Sequence, residues 1–218
     1  MFVSLRTFTL PADRLGTLET VIVTLQAAAS RLPGVVESLV TRVYPSATIN
    51  AGHLVWRMVH ESEALANAAM LAPAWRNAVM PAVAGFDVTG VGYRMTQKAP
   101  RSDGKAGGIW RALLFSCAPH ADPALVRALE ERTLLLAKYV PEIRAWGLNR
   151  AAWSEGRKPV HFVWEQEFDK VSDLTGPYME TPVHWGLVDA YFDAECPEYI
   201  VDPYLVQVVA STAGPVIR

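Results

Sequence analysis

Only two cysteines, Cys117 and Cys196, occur in the 218 residues, and neither stands at metal-ligand spacing from another ligand. A disulfide framework is therefore not what organises the chain, and both are expected to be free buried thiols. Histidine is scarce as well, with five in all. His53 and His60 fall on opposite faces of one strand and His120 lies in a loop, so these two with His120 and His161 make no metal box. A net charge of -2 with scattered Lys and Arg leaves no electrostatic footprint, which excludes nucleic acid and an anionic membrane surface as expected partners. No apolar run is long enough to span a bilayer. The opening Met1–Phe8 carries Arg6 and no small-residue cleavage site, so it reads as a first strand and a cytoplasmic protein is expected. The absence of a Gly-rich phosphate loop and of a serine nucleophile elbow excludes nucleotide-dependent and hydrolase chemistry.

What is present is apolar and repetitive. With 51% hydrophobic residues and 19% charged, the chain can bury a core as one large domain or two of about 100 residues. His53-Leu54-Val55-Trp56 recurs as His161-Phe162-Val163-Trp164, and the same order of elements surrounds each copy. In the first half the pattern predicts strands at 2–10, 37–44, 52–60 and 87–95, with helices at 17–32 and 62–83. In the second it predicts strands at 109–117, 143–148, 160–168 and 199–209, with helices at 123–140 and 171–192. Each half is thus β-α-β-β-α-β, the ferredoxin-like split unit. The stretch 99–108 is rich in Gly, Pro and charge and reads as a linker, giving a first repeat over 1–98 and a second over 109–218.

A four-stranded sheet with both helices on one face leaves the other face bare, and strands such as 160–168 are apolar on both sides. The expected fold is therefore α+β, with two ferredoxin-like repeats packed sheet to sheet into one closed alpha-beta barrel, helices outside and the pocket inside. By alternation along the strands, Trp164 with Phe162 and Gln166, and Trp56 with Leu54 and Met58, are expected to face that interior. Seven tryptophans in such a chain predict an aromatic-walled cavity for a flat, largely apolar ligand.

The segment with most chemical promise is Tyr178-Met179-Glu180-Thr181-Pro182-Val183-His184, followed by Asp189. Phenol and imidazole, both able to move protons, sit six residues apart around a proline expected to start a helix. Capping and packing are the alternative roles for the same two side chains. Arg111 on the first strand of the second half suits a carboxylate or phenolate, or else a structural ion pair; Arg6 offers a weaker version in the first half.

The second half resembles the Dabb family, the dimeric alpha-beta barrel or stress-responsive barrel domain, whose members include olivetolic acid cyclase and some plant hydroxynitrile lyases. The resemblance covers about 109–203 and rests on Arg111-Ala112-Leu113-Leu114-Phe115, Val140-Pro141, Trp146-Gly147, Phe168, the Tyr178/Pro182/His184 motif, Asp189 and Val201-Asp202 as part of the last strand. It implies His184 as general acid or base, Tyr178 as the hydroxyl that orients substrate or stabilises an oxyanion, and no cofactor or metal. A histidine common on the family's first strand is replaced here by Arg111, and another on its third strand by Phe162. Glu130 and Thr133 occupy positions that line the family's pocket. In the first half Pro73 aligns with Pro182, which sets Ala69 opposite Tyr178 and Trp75 opposite His184, so one of two ancestral sites has lost its chemistry. The function expected is a cofactor-independent acid-base lyase for a small phenolic or aromatic compound, cleaving by retro-aldol, deformylating or decarboxylating chemistry. Its substrate contacts would be Arg111, Phe115, Phe162, Trp164, Gln166, Trp56, Trp75 and Arg6. A polyketide-type aldol cyclase and a non-catalytic barrel that binds a hydrophobic ligand are the alternatives. A haem-binding barrel is disfavoured because no histidine stands where a motif would place an axial ligand. Whether fused chains form a homodimer remains open.

Overall fold

In the computed structural model, residues 1–103, 105 and 107–218 are described. Gly104 and Ala106, in the middle of the expected linker, lie outside them. The first half runs β1 (Phe2–Thr9), α1 (Leu18–Ala29), β2 (Val35–Arg42), β3 (Leu54–His60), α2 (Glu63–Leu71), α3 (Met80–Ala82) and β4 (Asp87–Arg94). A short β5 (Lys98–Ala99) leads into the second half: β6 (Gly108–Phe115), α4 (Pro123–Tyr139), β7 (Ala145–Glu155), β8 (Phe162–Phe168), α5 (Val171–Asp173) and β9 (Val206–Thr212). Strand order is β2-β3-β1-β4 in the first half and β7-β8-β6-β9 in the second, so each half is a ferredoxin-like unit. No helix among the described residues is long and apolar enough to cross a membrane.

The two sheets join into one nine-stranded antiparallel sheet through β4 and β7. β7 runs well past the 143–148 expected from sequence, and its far end, Ala151–Glu155, pairs with Gly90–Tyr93. Gly90 and Gly92 permit this, because a Cβ at either would collide with Glu155 or Trp153. At the opposite edge the expected closed barrel is not formed: β2 ends at Arg42, and Pro45 opens a turn. In place of a ladder, an isolated bridge between Ile49 and Gln207, the Tyr44 N–H to Val209 carbonyl bond (2.6 Å) and side-chain bonds at Ala47 and Thr48 reach β9. Pro45 has no N–H to give to a ladder and its turn carries the chain out of the strand direction, so the ladder stays open there.

Facing sheets enclose a core of small apolar side chains from both halves, among them Val3, Leu5, Val55, Val91, Ala112, Val163 and Val208. One buried polar cluster ties the halves together within it. Glu165 accepts from Arg57 Nε (2.7 Å), Tyr93 Oη (2.6 Å) and Trp110 Nε1 (3.1 Å). Burial works against the charge on Arg57, but Glu165 and Tyr93 outweigh it and hold the guanidinium pKa above its ordinary value. Its neighbour two residues on, Glu167, accepts from the backbone N–H groups of Val216 and Ile217 and so seats the chain's last residues.

The expected strand faces are inverted. Leu54, Trp56 and Met58 pack under the first half's helices, while Phe162 and Trp164 pack under the second's. The interior of the sheet pair takes Val55, Arg57 and Val59, with Val163 and Glu165 opposite. Trp56, Phe162 and Trp164 fill the helix-to-sheet layers, while between the sheets valines predominate and Tyr93 and Trp110 are held by Glu165. A second correction concerns the chain's end. Tyr199–Asp202 contributes just one bridge, Val201 to Cys117, and the last strand begins at Val206. Asp202 accepts from Tyr204 N (2.8 Å), closing a turn around Pro203 that ends the extended run. Cys117 is buried as expected, whereas Cys196 is only partly so.

Candidate active site

In each half, a proline starts the last helical passage before the closing loop. After Pro73 the chain makes a π-helical turn at Trp75–Val79, and after Pro182 an equivalent one at His184–Val188. Such widened turns present a side chain at an angle a regular helix does not offer. In the second half another π turn, Leu174–Tyr178, comes first; Pro177 inside it lacks the N–H that would tighten it. These two turns set Tyr178 and His184 edge to face, with ring centroids 4.7 Å apart.

The two side chains border a cavity of about 210 Å³ between the second sheet and its own helices. The expectation of a pocket inside the barrel is thus corrected: this cavity lies on the helix side of the second sheet, and the apolar core lies between the sheets. From β6 come Arg111, Leu113 and Phe115, from β8 Trp164, from β9 Gln207, and from α4 Thr133 and Leu136. Val188, Asp189 and Phe192 follow His184 around the wall, and Ile49 arrives from the first half. Most of the wall is apolar, so the few polar groups carry the electrostatics.

His184 is buried, and its Nδ1 lies 3.2 Å from Asp189 Oδ2. The contact is close enough for an ion pair but is not aligned as a hydrogen bond, which leaves Nδ1 without a partner. Distance describes the proximity; alignment decides the bonding, and on that criterion no bond is made. Nε2 makes no hydrogen bond among the described residues and is not sealed from solvent. Tyr178 is 1% exposed and packs its ring against Phe168. Its hydroxyl accepts from Arg111 Nη1 at 3.3 Å.

Arg111 is 4% exposed and, among the described residues, has no carboxylate within ion-pair distance. Its Nε donates to Gln207 Oε1 (2.8 Å) and its Nη1 to Gln166 Oε1, both neutral acceptors. The remaining nitrogen, Nη2, makes no hydrogen bond among the described residues and keeps some accessible surface. Two further donors, Trp164 Nε1 and Gln166 Nε2, are buried without partners. A charged group left this way is costly in a low-dielectric wall unless a ligand compensates it.

Of the expected contacts, Arg111, Phe115, Trp164, Tyr178 and His184 are brought together at this cavity. Phe162 is not on it: its ring stacks on Phe115 from behind, with centroids 5.2 Å apart. Gln166 touches Arg111 instead of the cavity. Glu130 pairs with Arg150 at the surface, while Thr133 is on the wall. His161 is exposed, and His53 accepts from the Leu10 N–H (3.0 Å).

Trp56, Trp75 and Arg6 lie in the other half and fill the place equivalent to the cavity. Trp75 stacks on Trp56 at 5.6 Å with an 11° interplanar angle. The Arg6 guanidinium is held over Trp75 and Trp153, and its Nε donates to Glu155 (2.6 Å). Arg6 is therefore the structural ion-pair partner that sequence allowed as an alternative for arginines here. Sequence reasoning did not identify Gln207, Leu113, Leu136, Val188, Phe192 or Ile49 as wall residues. Gln207 was hidden by the misplaced last strand, and Ile49 reaches the site only through tertiary structure. Asp189, five residues after His184, was the one readable signal, through its place in the motif.

No family model matches the sequence, and no curated protein matches it. Solved structures do. The chain is similar to an anthrone oxidase-like protein at 11% identity, covering 99% of this chain and 92% of that one, with a TM-score of 0.64. It is also similar to a proposed monooxygenase of Fusobacterium nucleatum (8% identity, 100% and 96% covered, TM-score 0.60). A third likeness is to a proposed monooxygenase of Lactobacillus acidophilus (7% identity, 100% and 98% covered, TM-score 0.57). At these identities the shared property is the fold, and the likeness runs nearly the whole length of both chains.

Proposed function

We propose that the second-half cavity is the active site of a cofactor-independent acid-base lyase acting on a small phenolic or aromatic compound. The observation that carries this reading is the imidazole of His184 facing the same small apolar cavity as Tyr178 and an Arg111 guanidinium that has no counter-ion among the described residues. The resemblance of the Tyr178/Pro182/His184 motif to the Dabb family supports it.

In a retro-aldol cleavage the substrate carries a hydroxyl on the carbon beside the bond to be broken and a carbonyl or conjugated ring beyond it. His184 Nε2 takes the hydroxyl proton; the O–H pair becomes the C=O of the released carbonyl fragment. The C–C pair moves into the conjugated system, whose oxygen gains the negative charge. Arg111 Nη2 and Tyr178 Oη are placed to hold that oxygen, and the imidazolium returns its proton to carbon. Atoms and electrons balance without a co-reactant. Asp189, whose side chain is 42% exposed, needs only a rotation to align with Nδ1 and fix Nε2 as the base.

The names of the similar structures, anthrone oxidase-like and monooxygenase, favour a second reading. In it the same deprotonated, resonance-stabilised substrate reacts with O2 instead of losing a fragment. Turnover of a panel of phenolic β-hydroxy ketones, followed by aldehyde release and by an oxygen electrode, separates the two. Aldehyde release at unchanged rate without O2 supports the lyase; turnover that stops without O2 overturns it in favour of the oxidase.

A further inference from the structure

Along β8 the run Glu165-Gln166-Glu167 alternates acid, amide and acid. Where a cation or bare N–H groups need neutralising between the sheets, the chain uses carboxylates: Glu165 for Arg57, Glu167 for the N–H groups of Val216 and Ile217. On the opposite face, where Arg111 stands directly across the β6/β8 pair, it uses the amide Gln166. The other neighbour of Arg111, Gln207 on β9, is again an amide.

We infer that Gln166 and Gln207 are positioning residues that fix Arg111 while withholding a countercharge, so that the cavity selects substrates bearing one anionic group, a carboxylate or phenolate. The inference rests on the reading of this cavity as a substrate site. Hydrogen-bond arithmetic supports it. Gln207 Nε2 donates to the Ala47 carbonyl (2.8 Å), which forces Oε1 toward Arg111 Nε. Ala47 belongs to the first half and is held by the reciprocal Ile49/Gln207 backbone bonds of 2.9 and 2.8 Å. The half without the motif thereby sets the orientation of the second half's guanidinium. Gln166 Oε1 faces Nη1; flipping the amide would set donor against donor. With Nε and Nη1 engaged by neutral oxygens, Nη2 is, among the described residues, the guanidinium nitrogen left open to a ligand. A charge-assisted donor in an apolar wall favours an anion strongly over its neutral isostere.

The test is calorimetric binding of benzoate and of benzamide to the full chain. Wild type should bind benzoate at least about tenfold more tightly. Gln207→Glu and Gln166→Glu each supply an internal carboxylate for Arg111, and should bring the two affinities to within about twofold of each other by weakening benzoate alone. Equal wild-type affinities, binding of neither probe, or a preference that survives in a folded glutamate variant would each overturn the inference. Should the glutamate variants fail to fold, Arg111→Gln decides: lost preference supports the inference, retained preference overturns it. Equal affinities leave the acid-base reading standing, whereas a His184→Ala protein that still turns over its substrate breaks that reading without touching this preference.

Discussion

The two halves place equivalent strands at equivalent seams and obtain opposite results. At one seam β7 continues past its sheet, pairs with β4 and delivers Trp153 and Glu155 onto Arg6, so the first half is packed solid around Trp56 and Trp75. At the other, β2 stops, Pro45 turns the chain away, and β9 is met by isolated bonds at Tyr44, Ala47, Thr48 and Ile49 instead of a continuous ladder. Two positions after the helix-starting proline stands Trp75 in one half and His184 in the other. A cavity exists where the smaller, titratable ring stands and the seam is loose. The comparison teaches that the repeat's geometry, π turn included, belongs to the fold, whereas open space and proton chemistry belong to a few side chains.

The comparison breaks most severely if the distinguishing ring is removed. His184→Ala should lower kcat by roughly 10²- to 10⁴-fold, as expected for a positioned acid-base group, with little change in melting temperature. Substrate turnover across pH, with buffer varied to expose rescue, checks this. Trp75→His imposes the second half's residue on the first. It should cost about 3–4 kcal/mol in urea unfolding, because a large buried ring that stacks on Trp56 is lost. It should create no second activity, since Ala69 offers no hydroxyl.

A third prediction separates the halves by pH. His60, buried in the first half, has Phe168 as its counterpart; burial foremost, then nearby Arg6, lowers its pKa to about 4. Native His60 is therefore neutral where the unfolded residue, near 6.5, already binds a proton. Stability should fall as pH drops from about 6.5 through about 4 and level off below, a loss on the order of 3 kcal/mol. His60→Phe should remove that contribution, read from urea midpoints at several pH values. The smallest effect comes from His184→Trp, which copies the first half into the second. Ligand binding should disappear while stability rises by about 1 kcal/mol from an added aromatic stack.

How far the sequence carried can be argued from these same residues. The order of elements and the two prolines were legible because helical and strand periods differ and proline punctuates them. The strand faces were not, because β3 and β8 are buried along their whole lengths, and alternation names a face only when one side is polar. Tyr199–Val201 looked like a strand by composition, but Pro203 and the Asp202 turn decide otherwise. Tyr178 and His184 were legible as a local motif. Gln207, Ile49 and the seam at β7 were not, since they meet the site only through pairing between distant segments.

The most direct measurement is a crystal structure of the chain soaked with 4-hydroxybenzoate. One ligand per chain should lie between the second sheet and its helices, with its carboxylate or phenolate oxygen on Arg111 Nη2 and its ring beside Tyr178 and His184. A ligand seated between the two sheets or against Trp75 in the first half, or a cavity left empty at a saturating soak, would contradict the account.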